Sequence, residues 1–194
     1  MAKFSDSGQG GFGTLLQYHH CNGDEARDMF YRVIAQCTQA LQSIDGWLDK
    51  AEQHAKLKKY DVAILMTSRL APDQDHFITQ VQFACDYVKY GAARLSGQIP
   101  PKWEDNEKTV DEVRARIKKT VAFAQSVTEQ QYEGASERMV SVNWAPGKSI
   151  RGDDYLLQLT IPNTYFHLTT AYAILRHNGV DVGKMDFLGS VALS

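Results

Sequence analysis

Long apolar segments are missing from this chain of 194 residues. Charged or polar residues interrupt each apolar stretch well before it reaches the ~20 residues that a membrane-spanning helix needs. The N-terminus also lacks the apolar core of a secretion signal. We therefore expect a cytoplasmic protein with no membrane partner.

The chain also has few cysteines and a small net charge. The three cysteines, Cys21, Cys37 and Cys85, form no close pair, and their odd number excludes a fully paired disulfide framework, so reduced thiols are expected. The formal net charge of -2 provides no broad positive field, and we expect no nucleic-acid partner. The Gly-x-Ser-x-Gly elbow of serine hydrolases and a Gly-rich phosphate loop are absent as well, which argues against both enzyme classes.

Glycine is concentrated at one end of the chain. Four glycines between residues 8 and 13 give the N-terminal segment a backbone that is costly to order, so residues 1–26 are predicted to be an extension outside the core. Residues 27–194 have the usual size of one domain with one hydrophobic core.

Helical periodicity dominates this domain. Apolar residues recur at intervals of three and four, which is typical of amphipathic helices. Four helices are predicted: one from near Asp24 to about Leu57, one from Ala71-Pro72-Asp73 to Gly97, one capped by Asp105 or Asn106, and one from Pro162 to Gly179. The segment between the second and third helices, residues 97–108, is interpreted as a plain connector.

A different pattern precedes the last helix. Alternating apolar residues from Met139 to Trp144 lead into Ala145-Pro146-Gly147-Lys148, which indicates a short hairpin or extended loop. The expected fold is therefore all-α, a four-helix bundle with this hairpin or loop before its last helix. The tail through Phe187 is expected to pack irregularly.

The best local candidate for chemistry is the pair Asn163 and His167, four residues apart on one face of the last helix. An imidazole can bind zinc or nickel, whereas the neutral Asn amide is a weak ligand for such ions. Cys85 and Asp86 on the second helix are tentative further ligands. The alternative is that His167 is a hydrogen-bonded core residue and Asn163 a helix cap.

Other side chains are candidates for a pocket or for a weaker metal site, and no residue is assigned a catalytic role. His76 follows Asp75, a pairing that could support acid–base chemistry or be ordinary surface electrostatics. The triplet His19-His20-Cys21 contains metal-ligand types without a preorganised geometry. The tentative pocket residues are His76, Gln82, Trp144, Tyr165 and Tyr172.

Three segments carry a family resemblance: DKAEQHA at 49–55, LAPDQDHFITQVQFACDYVKYGAARLSG at 70–97, and DYLLQLTIPNTYFHLTTAYAILRHNGVDVGKMDFLG at 154–189. They resemble a domain-of-unknown-function family, number nineteen ninety-three, which looks like a branch of the DinB/YfiT-like superfamily. The resemblance implies a four-helix bundle, frequently a homodimer, that often holds a divalent metal through three histidines on two helices. The superfamily includes thiol-dependent transferases and isomerases.

Aligned on the superfamily's His-Glu-x-x-His pattern, the last helix keeps the second histidine as His167 and has Asn163 in place of the first. The remaining histidine belongs on the second helix, where this chain offers Gln80, Gln82, Cys85 and Asp86. The resemblance therefore implies a bundle with an incomplete metal site, serving as a small-molecule-binding or interaction module. The alternative is a metal-dependent enzyme, thiol-transferase-like or hydrolase-like, that uses zinc or nickel at a rebuilt site around His167.

Overall fold

The computed structural model describes residues 23–142 and 144–191, so the triplet His19-His20-Cys21 lies outside the described residues. Helices form most of this part of the chain. They are α1 Gly23–Lys58, α2 Ala63–Met66, α3 Phe77–Leu95, α4 Val110–Ser126, a 3₁₀ turn Glu129–Tyr132, α5 Gly152–Asp154, a π-helical turn Tyr155–Thr160, α6 Ile161–His177 and α7 Lys184–Leu188.

The long helices α1, α3, α4 and α6 pack into the predicted four-helix bundle, which confirms the fold class. Helix α3 contacts the other three, and α1 also packs on α4 and α6. Apolar residues spaced by three and four supply the α1 side of the core, from Phe30 and Ile34 to Leu41, Ile44 and Leu48, each at most 2% exposed. In the described part of the chain no helix is long and apolar enough to span a membrane.

Helix α3 begins later than the sequence predicted. The start was expected at Ala71-Pro72-Asp73, but residues 71–74 form a separate turn that suits proline and aspartate equally well. The helix begins at Phe77, where the ring of the N-cap residue His76 accepts a hydrogen bond from the backbone N–H of Thr79.

The cap of α4 also differs from the prediction of Asp105 or Asn106. Thr109 is the N-cap, and its hydroxyl accepts a hydrogen bond from the backbone N–H of Glu112. The Glu112 carboxylate accepts one in return from the Thr109 N–H at 2.9 Å, which completes a capping box. Asp105 is unavailable as a cap because its carboxylate pairs with Arg116.

The predicted hairpin is present before the last helix. Strand β1, Met139–Ser141, pairs antiparallel with β2, Ser149–Arg151, and Val140 lies opposite Ile150. The end of α6 also agrees with the sequence, because Gly179 adopts the left-handed conformation, φ +85°, that terminates helices.

The tail is more regular than expected, because it forms helix α7 and docks on α1. The Trp47 indole N–H donates to the carbonyl of Asp186 at 2.9 Å, and Lys50 pairs with the carboxylate of the same residue. The rings of Trp47 and Phe187 stack with centroids 5.7 Å apart. The Asp186 carboxylate also accepts from the backbone N–H of Gly183, which caps the short helix.

The connector at 97–108 is not the plain linker that the sequence suggested, because it covers a buried arginine. Arg116 of α4 is 1% exposed. Its guanidinium pairs with Asp86 at 2.9 Å, Asp105 at 2.8 Å and Glu107 at 3.3 Å, and donates to the carbonyl of Glu104. Three of these four acceptors come from the connector, which is thereby fixed to α3 and α4.

Trp103 adds an aromatic surface to the same region. The Nζ of Lys89, itself 2% exposed, lies 4.9 Å from the Trp103 ring centroid, the Nζ of Lys119 lies at 4.8 Å and the guanidinium carbon of Arg116 at 5.6 Å. Lys89 also lies 4.4 Å from the ring centroid of Tyr90. Cations at such distances are attracted by the ring quadrupole, so the buried cations are stabilised by carboxylates and by aromatic rings.

We expect Arg116→Met to lower the free energy of unfolding by about 3–5 kcal/mol, because it removes the buried cation that Asp86 and Glu107 share and leaves the buried Glu107 carboxylate without a cation. Arg114→Met is the matched control two residues away. Arg114 also pairs with three carboxylates, Asp45, Asp49 and Glu52, but those are 47–62% exposed, so we expect a loss of about 1 kcal/mol. Urea denaturation followed by circular dichroism measures both, and equal losses would contradict the prediction.

Candidate functional site

His167 lies on α6, half-buried, and faces α3. Its Nδ1 is 2.8 Å from Oε1 of Gln80. A second hydrogen bond fixes the orientation of the Gln80 amide, because its Nε2 donates to the carbonyl of Asp75 at 2.9 Å. Since Oε1 can only accept, Nδ1 of His167 carries the proton and donates it, and Nε2 keeps its lone pair. The two residues thus fix one tautomer of the imidazole.

Aromatic rings surround this imidazole. Its centroid is 5.0 Å from that of Phe83, 5.7 Å from that of Tyr87 and 5.1 Å from that of Phe166. Phe166 is 56% exposed, whereas Phe83 and Tyr87 are half-buried. These three residues, with Gln80 and His167, are called the His167 face below.

Burial sets the charge state of the site. It lowers the pKa of His167 from 6.5 to about 4, and the Asp75 carboxylate opposes this only weakly. Because burial withholds the water that would stabilise the charged imidazolium, the neutral form dominates at neutral pH. The Nε2 lone pair is therefore available as a hydrogen-bond acceptor.

Asn163 lies one helical turn before His167, on the same side of α6. Its Nδ2 donates to the carbonyl of Leu159 at 2.7 Å. That carbonyl belongs to the π-helical turn Tyr155–Thr160, and Pro162 has no N–H to offer the preceding turn. The amide of Asn163 thus satisfies backbone at a point where the helix changes its winding, a feature frequent at functional sites.

The structure does not bring Cys85 and Asp86 to His167. Cys85 is fully buried, its thiol bonds to Thr120 of α4, and burial raises its pKa to about 12. Asp86 pairs with Lys89 and with the guanidinium of Arg116 on α4. Because a helix turns 100° per residue, both side chains leave α3 on the side away from α6.

The suggested pocket residues on α3 and the hairpin lie apart from one another. His76 caps α3, and Gln82 donates to the carboxylate of Glu107 at 2.8 Å, next to the buried arginine. Trp144 stands 76% exposed at the turn of the hairpin. These three side chains therefore line no common cavity.

The two tyrosines of α6 point toward α1 rather than α3. Tyr165 is half-buried and its hydroxyl bonds to Gln36. Tyr172 donates to the carbonyl of Val182 at 3.3 Å and meets Trp47 edge to face. The residues predicted from the sequence did not include Phe83 and Tyr87 of α3. Their spacing of three and seven residues from Gln80 nevertheless indicates that all three lie on one face of that helix.

The geometry of the bundle and of α6 can be compared with known proteins. The family model described as a domain of unknown function (DUF1993) matches residues 29–188. The chain belongs to this family. A crystal structure of a DinB family member protein from Shewanella denitrificans is similar to it at 41% identity and a TM-score of 0.85, covering 88% of this chain and 98% of that one. No curated protein matches.

A DUF1993 chain with this donor set does not fit a three-histidine metal centre. The positions that face one another carry one imidazole and two neutral amides, and the Gln80 oxygen already accepts from the imidazole. Zinc and nickel are held by imidazole, thiolate or carboxylate ligands. Across residues 23–142 and 144–191 no three side chains of His, Cys, Asp or Glu type are grouped to hold an ion.

The low pKa of His167 makes stability depend on pH. As pH falls from 6.5 to about 4, His167 is protonated in the unfolded chain but stays neutral in the folded chain. The free energy of unfolding therefore decreases over this pH range. We expect wild type to lose about 2 kcal/mol more than His167→Gln between pH 7 and 4, a value reduced for partial exposure. Urea denaturation at several pH values checks this, and parallel curves would refute it.

Proposed function

We propose that the His167 face is a metal-independent binding site for a small molecule that carries a hydrogen-bond donor beside a flat apolar group. The observation that carries the proposal is the hydrogen bond between His167 and Gln80. It holds the imidazole in the tautomer that has an acceptor at Nε2, and it uses one lone pair of the Gln80 oxygen, a neutral group that is a weak ligand for zinc or nickel.

The surroundings of the imidazole support the same ligand chemistry. Phe83, Tyr87 and Phe166 present aromatic surface next to the acceptor, and Phe166 is the most exposed of the three. Apolar walls with a few oriented polar groups are typical of small-molecule sites. A neutral imidazole favours a neutral donor, because no charge at the ring attracts an anion.

The rival function is a metal-dependent enzyme, thiol-transferase-like or hydrolase-like, with zinc or nickel at His167 and Asn163. Its supporting observation is the neutral imidazole, the protonation state that binds metals. The homodimer and the cytoplasmic location expected from the sequence stay predictions.

Indole and 1-methylindole are suitable probes, because they share a flat ring and differ in the N–H donor. We expect indole to shift the backbone NMR signals around His167 and Phe83, and 1-methylindole to bind about 5–10 times more weakly, the effect of one hydrogen bond. His167→Phe keeps a ring of similar shape without the acceptor and should abolish the difference. Equal affinities for the two probes in wild type would refute the proposal.

Metal analysis of tag-free protein separates the proposal from its rival. We expect substoichiometric zinc and nickel in both wild type and His167→Ala. The double variant Gln80→His with Asn163→His restores three imidazoles, so it should bind about one zinc per chain and serves as the positive control. Stoichiometric metal in wild type that disappears in His167→Ala would instead establish the metal-dependent site.

A further inference from the structure

A concave site lies on the pair of helices opposite the His167 face. This half-open cavity of about 480 Å³ lies between α1 and α4, and Tyr132 of the 3₁₀ turn and Ser190 also line it. It shares no residue with the His167 face. Its volume falls within the range of about 300–1,000 Å³ that is usual for small-molecule sites.

The cavity has a buried floor and an open rim. Its floor consists of Ile34, Thr38, Ala124 and Tyr132, each at most 6% exposed. The small side chain of Ala124 leaves space where a larger residue of α4 would fill the gap to α1. A molecule that enters therefore meets apolar side chains at Ile34 and Ala124 and polar groups elsewhere.

Tyr132 gives the floor a polar group without a partner. The residue is 1% exposed, and its hydroxyl has no hydrogen-bond partner among the described residues. Burial, with a contribution from Tyr31, raises the pKa of this phenol, so it stays a protonated donor. Buried donors are almost always paired in folded proteins, because an orphaned donor loses its water without replacement. A ligand carbonyl would supply the missing acceptor.

The remaining polar lining is uncharged. It consists of hydroxyls and amides, and no acidic or basic residue of the described chain lines the cavity. The amide of Gln39 donates to the carbonyl of Ser190, so its own oxygen is left as an acceptor. An ionic ligand would lose hydration here and meet no opposite charge. The lining therefore complements a neutral molecule with both a carbonyl and an N–H.

We propose that this cavity is a ligand site for a neutral molecule that joins a secondary amide to an apolar ring or chain. The carbonyl accepts from the Tyr132 hydroxyl, the N–H donates to Gln39, and the apolar part lies against Ile34 and Ala124. The site is independent of the His167 face and of the function proposed for it.

N-cyclohexylacetamide is the probe, because its ring is not flat and so does not suit the His167 face. We expect it to shift the backbone NMR signals of Ala35, Thr38 and Gln125 in the full chain. Cyclohexanecarboxylate, which carries a charge on the same ring, should bind at least about tenfold more weakly, since the lining offers no cation.

Two variants and one control test the assignment. Ala35→Phe adds a ring at the exposed rim and should abolish binding without disturbing the core. Tyr132→Phe should weaken binding about tenfold while the unliganded protein melts at the same or a higher temperature, because an unpaired donor has been removed. His167→Phe should leave the affinity unchanged. The proposal is overturned if the amide causes no shifts at the cavity, if the carboxylate binds equally well, or if neither cavity variant weakens binding.

Discussion

The helical period of α3 is the constraint on which the rest of the structure depends. A rotation of 100° per residue sends Gln80, Phe83 and Tyr87 toward α6, whereas Asp86 and Lys89 leave toward α4. Because α3 contacts α1, α4 and α6, each of its faces packs against a different helix. The hydrogen bonds around His167 and the ion pairs around Arg116 form two polar systems that are separated by the thickness of this one helix.

The two systems use different physics. On the α6 side, a neutral imidazole is held by neutral hydrogen bonds, and burial keeps it uncharged. On the α4 side, carboxylates pair with Arg116 and Lys89, and the Trp103 ring lies beside both cations. The ionic system is structural, since it fixes the connector across two helices. The neutral system leaves Nε2 of His167 as a hydrogen-bond acceptor.

Membership of the DUF1993 family and similarity to a DinB family member fix the fold of this chain without fixing its chemistry. A helical bundle places side chains from facing helices into a common site, and replacing donors there leaves the packing intact. Gln80 and Asn163 have the size and polarity to stay hydrogen-bonded inside the bundle. Both amides are hydrogen-bonded within the bundle, Gln80 to His167 and to the carbonyl of Asp75, and Asn163 to the carbonyl of Leu159.

The sequence by itself determined the helices that have strong periodicity, the hairpin and the stop at Gly179, because each follows from local spacing or backbone conformation. It also identified the position of His167. Only the tertiary structure decided that Gln80 is the partner of His167, that Asp105 pairs with Arg116 instead of capping α4, and that α7 docks on Trp47. These contacts join residues far apart in the chain, and their choice depends on which helix faces meet when the bundle closes.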